Sequence, residues 1–272
     1  MNNKVVEIAK LLNYESKKIL IDRKELEQAI NILYHDILFP VCCNDCRSSK
    51  KLLIVYSILL DNISTLLGSE KATEVVETFI QKLPDLQKKL HNEARNYVEN
   101  DPAANSTEEV IVAYPGFFAI AVYRISHELH KLKVPVIPRV FSEYAHSSVG
   151  IDIHPAAEID DMFYIYHGTG IVIGETCVIG KNVKIYQGVT LGALFVTRDA
   201  KDTKRHPTIE DNVVIYAGAT ILGGNTVVGH NSTIGGNVWL THSVLPYSLV
   251  YHESKIKISD TRDYNEPIIY YI

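Results

Sequence analysis

An aliphatic residue recurs at every sixth position from Ile153 to about Leu240. A period of six fits neither the 3.6-residue repeat of a helix nor the two-residue alternation of a strand. Three hexads make one triangular coil, in which each aliphatic side chain points inward and stacks on its equivalent one coil away. The pattern therefore predicts a left-handed parallel β-helix. Its in-register positions are Ile173, Ile179, Ile185, Leu191, Ile209, Ile215, Ile221, Val228, Ile234 and Leu240.

The repeat is regular enough to exclude chance. Glycine directly follows five of the in-register positions, where it lets the backbone turn a corner of the coil. The register slips only twice, by one residue at Gly223-Gly224 and again between Ile165 and Ile173. Ten aliphatic positions survive both breaks.

The composition changes near residue 146 and divides the chain. A length of 272 residues favours two domains. The first part is rich in Leu, Lys, Glu and Asn, has almost no Gly, and predicts a succession of helices. We therefore expect an α+β protein with an N-terminal all-helical domain at residues 1–146. A left-handed parallel β-helix follows at residues 147–251, and a flexible C-terminal tail at residues 252–272.

One helix start is visible within the first domain. Ser106 and Glu109 have the Ser-x-x-Glu spacing of a capping box, in which each side chain satisfies a free backbone N–H at a helix start. The pair Pro115-Gly116 interrupts this helix. A stripe of apolar residues at helical spacing then predicts a face that packs on other helices. It consists of Phe118, Val122, Ile125, Leu129 and Leu132.

Composition excludes several classes of protein. No apolar run approaches the roughly 20 residues of a membrane helix, and charges interrupt any signal-peptide core in the first 20 residues. We therefore expect a cytoplasmic protein without a membrane segment. A formal net charge of -5 argues against nucleic-acid binding. Four cysteines are too few for a disulfide framework, and Cys43 with Cys46 would supply only half of a zinc site, so no metal is expected.

Two segments break the hexad pattern and are candidates for a site. The first places His167 between coils, with small residues after it. The second is a loop from Ala193 to Lys204 that leads into Arg205 and His206. A guanidinium at the base of a loop suits a carboxylate, which it binds in a bidentate geometry. Because β-helices of this kind usually trimerise, we expect the site in a cleft between neighbouring chains.

Several segments match one enzyme family. They are Asp101-Pro102-Ala103, Tyr114-Pro115-Gly116-Phe117, Tyr123-Arg124-Ile125-Ser126-His127, Gly150-Ile151-Asp152-Ile153-His154-Pro155, His167-Gly168-Thr169-Gly170, Gly174-Glu175-Thr176, Gln187-Gly188-Val189-Thr190-Leu191-Gly192 and Arg205-His206-Pro207-Thr208-Ile209. Through them the chain resembles the serine acetyltransferases, hexapeptide-repeat enzymes that transfer acetyl from acetyl-CoA to the hydroxyl of L-serine. Hexads alone would indicate only a broad acyltransferase superfamily. The Asp-Pro-Ala and Tyr-Pro-Gly-Phe segments are specific to this branch.

The resemblance implies a role for each matching residue. His167 would be the general base that takes the serine hydroxyl proton, a task that suits an imidazole. Asp152 would be the carboxylate that orients His167; without this match, a packed core histidine would be the better interpretation. Arg205 and His206 would hold the serine carboxylate, although a solvated basic loop has the same composition. Asp101 would receive the serine ammonium, or would simply end a helix before Pro102.

The chain departs from the family pattern near His167, the residue that the resemblance implies as the general base. Tyr166 stands where the family has Asp, a residue that shares the serine ammonium, so one charge partner is lost at that position of the substrate site. Ala193 replaces the second glycine of a Leu-Gly-Gly turn and adds a methyl group near the thioester. The resemblance further implies that acetyl-CoA lies in the cleft against Gly192, Ala193, Ala217 and Gly235. Backbone N–H groups at such turns also suit a developing oxyanion.

The resemblance also implies partners. It indicates a homotrimer, two of which join through the helical domains into a hexamer, and feedback inhibition by L-cysteine at the carboxylate clamp. The terminal Ile272 matches a peptide ligand of O-acetylserine sulfhydrylase. A tail that packs on its own trimer is the alternative, and deletion of Ile272 distinguishes the two if a sulfhydrylase is titrated.

Three other functions stay open at this stage. Tyr166 allows an acetyltransferase for another hydroxyl or amine acceptor, such as a sugar. His167 and His206 could belong to a trimeric β-helix zinc enzyme of the carbonic anhydrase type. The chain could also be a structural partner of a sulfhydrylase, without turnover. Acceptor profiling, a metal assay and an activity measurement separate these alternatives.

Overall fold

The computed structural model describes residues 3–15, 21–40, 45–194 and 203–253. Its helices are α1 Asn3–Glu15, α2 Arg23–Ile32, the π-helical segment Leu33–Leu38, α3 Asp45–Leu67, α4 Ser69–Asn100, α5 Thr107–Ala113, α6 Pro115–Lys131 and α7 Ile137–Val149. Its strands are β1 Ile151–Ile153, β2 Glu158–Ile159, β3 Tyr164–Tyr166, β4 Ile171–Ile173, β5 Val178–Ile179, β6 Lys184–Tyr186, β7 Thr190–Gly192, β8 Thr208–Ile209, β9 Val214–Ile215, β10 Thr220–Leu222, β11 Val227–Val228, β12 Thr233–Ile234, β13 Trp239–Leu240 and β14 Leu249–Val250.

The strands wind into a parallel β-helix of about five turns. The first sheet has the order β1-β4-β7-β10-β13, the second β2-β5-β8-β11, and the third β3-β6-β9-β12-β14. Consecutive strands from β1 to β13 therefore belong to successive sheets, and each strand pairs in parallel with its equivalent one coil away. The predicted fold, a helical region followed by a parallel β-helix, is confirmed.

The aliphatic positions of the repeat form the interior. All of the in-register residues except Leu240 are buried, and equivalent residues stack, as Ile179 does on Ile209. Full burial of one such side chain contributes about 1.5–3 kcal/mol, so the column accounts for much of the stability of the coil. Leu240 is half-buried because β13 lies at the edge of the first sheet.

The predicted helix start is present, with one difference. Ser106 Oγ accepts a hydrogen bond from the backbone N–H of Glu109 at 3.1 Å. The Glu109 carboxylate accepts from the backbone N–H of Asn105 at 2.8 Å, one residue earlier than a capping box requires. Helices α5 and α6 then meet at a bend of 78°. The predicted stripe is confirmed: Val122, Ile125 and Leu129 are buried, with Phe118 and Leu132 half-buried beside them.

A buried ion pair joins the helical region to the first coil. Arg124 Nη2 on α6 lies 2.6 Å from Glu93 Oε1 on α4, and both side chains are almost fully buried. The same guanidinium donates to the carbonyl oxygen of Ile159, the last residue of β2, and to that of Asp160, the residue after it. Removal of either charged partner would leave the other buried without compensation.

The two ends of the loop after β7 rest on a pair of glycines. A Cβ atom on Gly223 would lie 2.9 Å from Leu194 Cδ1, and one on Gly224 would lie 2.0 Å from the carbonyl oxygen of Lys204. Gly223 also has a φ of +104°, a conformation that L side chains rarely adopt. These glycines are the point at which the sequence repeat slips by one residue.

The coil region begins directly after α7. Gly150 ends that helix in the left-handed conformation, with φ 70°, and β1 starts at the next residue. Most of the predicted tail, from residue 254 to Ile272, lies outside the described residues. Cys43 also lies outside them. No single described helix is long and apolar enough to cross a membrane; only the bent pair α5 and α6 has that length and composition jointly.

Candidate active site

The candidate residues lie at two corners of the triangular coil. The His167 corner consists of the turns from the third sheet to the first, which follow β3, β6, β9 and β12. The Arg205 corner consists of the turns from the first sheet to the second, which follow β1, β4, β7 and β10. Asp152 lies between them, at the centre of β1 on the first sheet.

Thr176 positions the basic pair at the Arg205 corner. Its Oγ1 accepts hydrogen bonds from the backbone N–H groups of Arg205 and His206, at 2.9 and 3.0 Å. The backbone N–H of Thr176 donates to His206 Nδ1 at 3.0 Å. Because Nδ1 accepts, the ring proton of neutral His206 resides on Nε2. His206 therefore offers an N–H donor beside the guanidinium of Arg205.

Packing and charge keep His206 neutral. The residue is 8% exposed, and its ring lies so close to Gly174 that a Cβ there would be 2.0 Å from His206 Cδ2. Burial, and then the positive charge of Arg205, lower the pKa of His206 to about 4. A neutral imidazole beside a guanidinium adds a hydrogen bond to a bound anion without a second charge.

His206 should therefore not titrate between pH 8 and pH 5. Its ring resonances in an NMR titration should stay constant over that range, whereas a histidine in the unfolded chain takes up a proton near pH 6.5. Unfolding binds this proton between about pH 6.5 and pH 4, so the stability that His206 contributes should fall as the pH drops through that window. A folded-state midpoint near 6.5 would contradict the burial argument.

An ion pair orients Arg205. Its Nη2 contacts Glu175 Oε2, on the turn one coil away. Burial alone would raise the pKa of Glu175, but the hydrogen bond from Arg205 and the neighbouring basic groups lower it below its usual value. Lys204 Nζ donates to the carbonyl oxygens of Thr176 and Pro207, at 2.6 and 3.2 Å. The end of the loop is thus fixed to the coil beneath it.

Asp152 belongs to a network of charges beside this corner. Arg139 Nη1 lies 3.8 Å from Asp152 Oδ1, and the same guanidinium pairs with Glu143. Ligand atoms of Glu143, His146 and Asp152 lie within 4.8 Å of one another, as in a cation site. Arg139 already supplies positive charge there, so we interpret the cluster as an ion-pair network. Among the described residues, Asp152 Oδ1 has no hydrogen-bond partner.

His167 is held by its backbone and by an aromatic neighbour. It has a φ of 61°, in the left-handed region where Asn, Asp and His are the commonest residues after Gly. Its ring meets the edge of Tyr166, with centroids 4.3 Å apart. Tyr166 begins a row of rings that continues along the third sheet, 5.0 Å to Tyr186 and then 4.9 Å from Tyr186 to Tyr216.

A cavity of about 420 Å³ joins His167 to the helical region. Asp101, Tyr114, Tyr164, Tyr166 and His167 are among its lining residues. Asp101 directly follows α4 and is 5% exposed. Its Oδ1 accepts from the N–H of residue 103 at 2.9 Å, and its Oδ2 accepts from the Tyr114 hydroxyl at 3.0 Å. The cavity thus presents one carboxylate and one histidine.

The predicted residues therefore form two groups in one chain. Asp101, Tyr166 and His167 line the cavity, whereas neither Asp152 nor Arg205 does. In the described part of the chain, no hydrogen bond links Asp152 to His167. A single chain thus has the predicted base and its predicted ammonium partner at one corner, and the predicted carboxylate clamp at another.

The four positions predicted for the cofactor are divided in the same way. Ala217 and Gly235 lie on the His167 corner, and Gly192 and Ala193 lie at the Arg205 corner. The N–H of Gly235 donates to the carbonyl oxygen of Val250 at 2.7 Å. This N–H is committed to the coil, so a cofactor contact at Gly235 must use other atoms.

The sequence did not reveal the residues that hold the site in place. Thr176 and Glu175 lie in a matching segment, but they are about 30 residues from the basic pair, and no spacing rule joins them. No motif or spacing in the sequence indicated Arg139 or Tyr164 as part of the site either. Tyr164 occupies a strand position in a run of aromatic residues that reads equally well as core.

Comparison with known proteins gives one family. No family model matches the chain. A plasmid-encoded serine acetyltransferase of Synechococcus elongatus is 52% identical over 181 residues, which is 65% of this chain and 56% of that protein. The match thus spans little more than half the length of this curated relative.

Two solved structures are similar over most of their length. Entamoeba histolytica serine acetyltransferase 1, in complex with L-cysteine, has a TM-score of 0.76 and 33% identity and covers 87% of this chain and 88% of that one. Neisseria gonorrhoeae serine acetyltransferase in complex with serine has a TM-score of 0.60 and 26% identity, with 88% of this chain and 97% of that one covered. With 33% identity and a shared fold over 88% of the length of the first of these structures, this chain belongs to the serine acetyltransferase family.

Proposed function

We propose that this protein transfers an acetyl group from acetyl-CoA to the hydroxyl of L-serine, which yields O-acetyl-L-serine and CoA, the first step of cysteine biosynthesis. The observation that carries the proposal is the arrangement at the Arg205 corner. A guanidinium and a neutral imidazole N–H, both positioned by Thr176, suit the carboxylate of an amino acid. A hydrophobic or sugar acceptor has no carboxylate for the guanidinium to bind in a bidentate geometry.

The reaction follows from the two groups of residues. His167 accepts the proton of the serine hydroxyl while the oxygen attacks the thioester carbonyl. The tetrahedral intermediate then collapses, the C–S bond breaks, and the imidazolium returns the proton to the CoA sulfur. Asp152 stabilises the imidazolium, Asp101 receives the serine ammonium, and Arg205 with His206 fixes the carboxylate. Serine is thereby held at both ends with its hydroxyl at the base.

The site requires two chains. The carboxylate clamp lies at one corner, and His167 with Asp101 at another, so one chain alone cannot bind both the carboxylate and the ammonium of serine. In a trimer, the His167 corner of one chain faces the Arg205 corner of the next. A cyclic arrangement gives three equivalent sites. The division of the cofactor positions between the same two corners supports this arrangement.

Acetyl-CoA would lie in the cleft between these corners. Gly192 and Ala193 would line it from one chain, and Ala217 with Gly235 from the other. Backbone N–H groups at the turn after β7 would stabilise the oxyanion of the tetrahedral intermediate. L-cysteine has the carboxylate and ammonium of serine, so it should occupy the same clamp as an inhibitor. The hexamer, the cytoplasmic location and the contact of Ile272 with a sulfhydrylase stay predictions.

Thiol release from acetyl-CoA tests the function directly. We expect turnover with L-serine, and much less with D-serine, homoserine or a panel of small sugars, because only L-serine places its hydroxyl at the base with both charged groups bound. L-cysteine should inhibit competitively against serine and not against acetyl-CoA.

The acceptor panel also separates the alternatives. A folded oligomer that acetylates a sugar and not L-serine would overturn the proposal, and Tyr166 would then mark a different acceptor. A folded oligomer without turnover on any acceptor would identify a structural partner. Stoichiometric bound metal that is required for activity would favour the zinc enzyme.

A further inference from the structure

The hydroxyl of Tyr164 is buried without a partner. Tyr164 lies on β3 and is 2% exposed. Its oxygen is buried at the wall of a cavity, and no described residue forms a hydrogen bond with it. A buried polar group in this state destabilises the free protein, and such groups are rare in native structures. Phenylalanine would fill the same space without this penalty, so the oxygen requires an explanation.

The position of this hydroxyl suggests one. Tyr164 lines the same cavity as Asp101, Tyr166 and His167. Burial raises the pKa of Tyr164, and electrostatic interactions with Asp101, Tyr166 and Tyr114 raise it further. The hydroxyl therefore belongs to a residue of the same cavity as the carboxylate that is expected to bind the acceptor.

The described walls of the cavity present a single negatively charged side chain with which to bind an ammonium ion. Asp101 supplies the only carboxylate among its described lining residues, because Tyr166 is neutral. Burial and the hydrogen bond to Asp101 raise the pKa of Tyr114 to about 12, so its hydroxyl keeps its proton and donates it to that carboxylate. An ammonium group has three N–H donors, and Asp101 already accepts two hydrogen bonds. A further acceptor oxygen is needed in the cavity.

We propose that Tyr164 determines acceptor specificity: its hydroxyl oxygen accepts a hydrogen bond from the ammonium group of the acceptor, while Asp101 supplies the negative charge. This inference rests on the proposed function, in which the acceptor is an amino acid. The ring of Tyr166, 6.0 Å from the ring of Tyr164, forms the wall between the ammonium and His167. The two tyrosines thus replace a second carboxylate by an oxygen and a π-face.

The variant Tyr164→Phe tests the proposal by two measurements: serine binding should weaken, while the stability of the free protein should not fall. The KM for serine should rise about tenfold or more, since a hydrogen bond to a charged group is lost, while kcat and the KM for acetyl-CoA stay within about twofold. Without substrate, the variant should be as stable as the wild type or more stable, because an unpartnered hydroxyl is removed. If the hydroxyl instead stabilised the fold, the free variant would be less stable than the wild type.

Two controls make the result specific. Tyr216→Phe removes a phenolic oxygen from the same row of rings, two coils away and 43% exposed, and should leave the KM for serine unchanged. The compound 3-hydroxypropanoate keeps the hydroxyl and carboxylate of serine but lacks the ammonium. Its inhibition constant against serine should be the same for wild type and Tyr164→Phe.

Three results would overturn the proposal. They are an unchanged KM for serine in Tyr164→Phe, an equal loss of affinity for serine and 3-hydroxypropanoate, or a marked loss of stability in the free variant. Any of them with an active wild type refutes the role of Tyr164 alone. Absence of serine turnover in the wild type refutes the proposed function instead, so the two failures are distinguishable.

Discussion

Mixed trimers of His167→Asn chains and Arg205→Ala chains should recover activity that neither variant has alone. Asn is the appropriate replacement at residue 167, because it tolerates the left-handed backbone conformation of φ 61° while it removes the base. Loss of a general base reduces turnover by about 10² to 10⁴-fold. Loss of the guanidinium removes a charge-assisted, bidentate contact to the carboxylate and raises the KM for serine.

The extent of recovery follows from the geometry. In the proposed trimer, each site needs His167 from one chain and Arg205 from the next, and any mixed trimer contains one such pairing. About one third of the wild-type activity should therefore return, as in a cyclic trimer with one intact site of three. Co-expression with two affinity tags and purification over both columns isolates the mixed trimers for assay.

The control uses two changes at the same corner. Mixed trimers of His167→Asn and Asp101→Asn chains have no intact pairing, because both residues come from the same chain at every site. They should stay inactive. If His167→Asn with Arg205→Ala recovered nothing in stable mixed trimers, each site would lie within one chain, and the two-chain arrangement would be wrong.

The second large effect concerns stability. Arg124→Ala should lower the free energy of unfolding by about 3–5 kcal/mol, because Glu93 is left as a buried charge without a partner. The carbonyl oxygens of Ile159 and Asp160 lose their donor as well. Urea unfolding at a fixed protein concentration measures the change, since subunit association contributes to the apparent stability.

Two further variants show whether the buried charge is the cause. Lys71→Ala removes an exposed ion pair of 2.8 Å on α4 and should change the free energy of unfolding by less than about 1 kcal/mol. The double replacement of Arg124 by Met and Glu93 by Leu should lose less than Arg124→Ala alone, because no uncompensated charge remains. An Arg124→Ala loss as small as that of Lys71→Ala would refute this account of the domain junction.

The sequence was sufficient for the fold because the repeat is local. A period of six specifies the coil from residues that are neighbours in the chain, and the structure buries these positions as expected. The capping box was only half correct. Ser106 caps the helix, but Glu109 reaches Asn105, a choice between adjacent N–H groups that the spacing does not decide.

The roles of the candidate site residues stay predictions, and the sequence did not show at which corner of the coil each of them lies. Family motifs identify His167 and Arg205, yet no motif states that they lie at different corners. The contact of Thr176 with His206 spans 30 residues, since a coil turn and a loop lie between them. The cavity depends on the packing of α6 on β3, where a Cβ at Gly116 would lie 2.6 Å from the carbonyl oxygen of Ile165. Such packing is set by the whole fold.

The glycine pair beneath the loop has a consequence for protein engineering. Leu194 and Lys204 occupy the space that side chains at Gly223 and Gly224 would need, so the described ends of the loop depend on the two glycines. Transplanting the loop into another coil would therefore fail unless both glycines and the one-residue slip were transferred with it. Conversely, a version of this protein with a shortened loop would have vacant space at these glycines, which larger residues could fill. The glycine pair and the loop ends, although separated in the sequence, therefore have to be changed together.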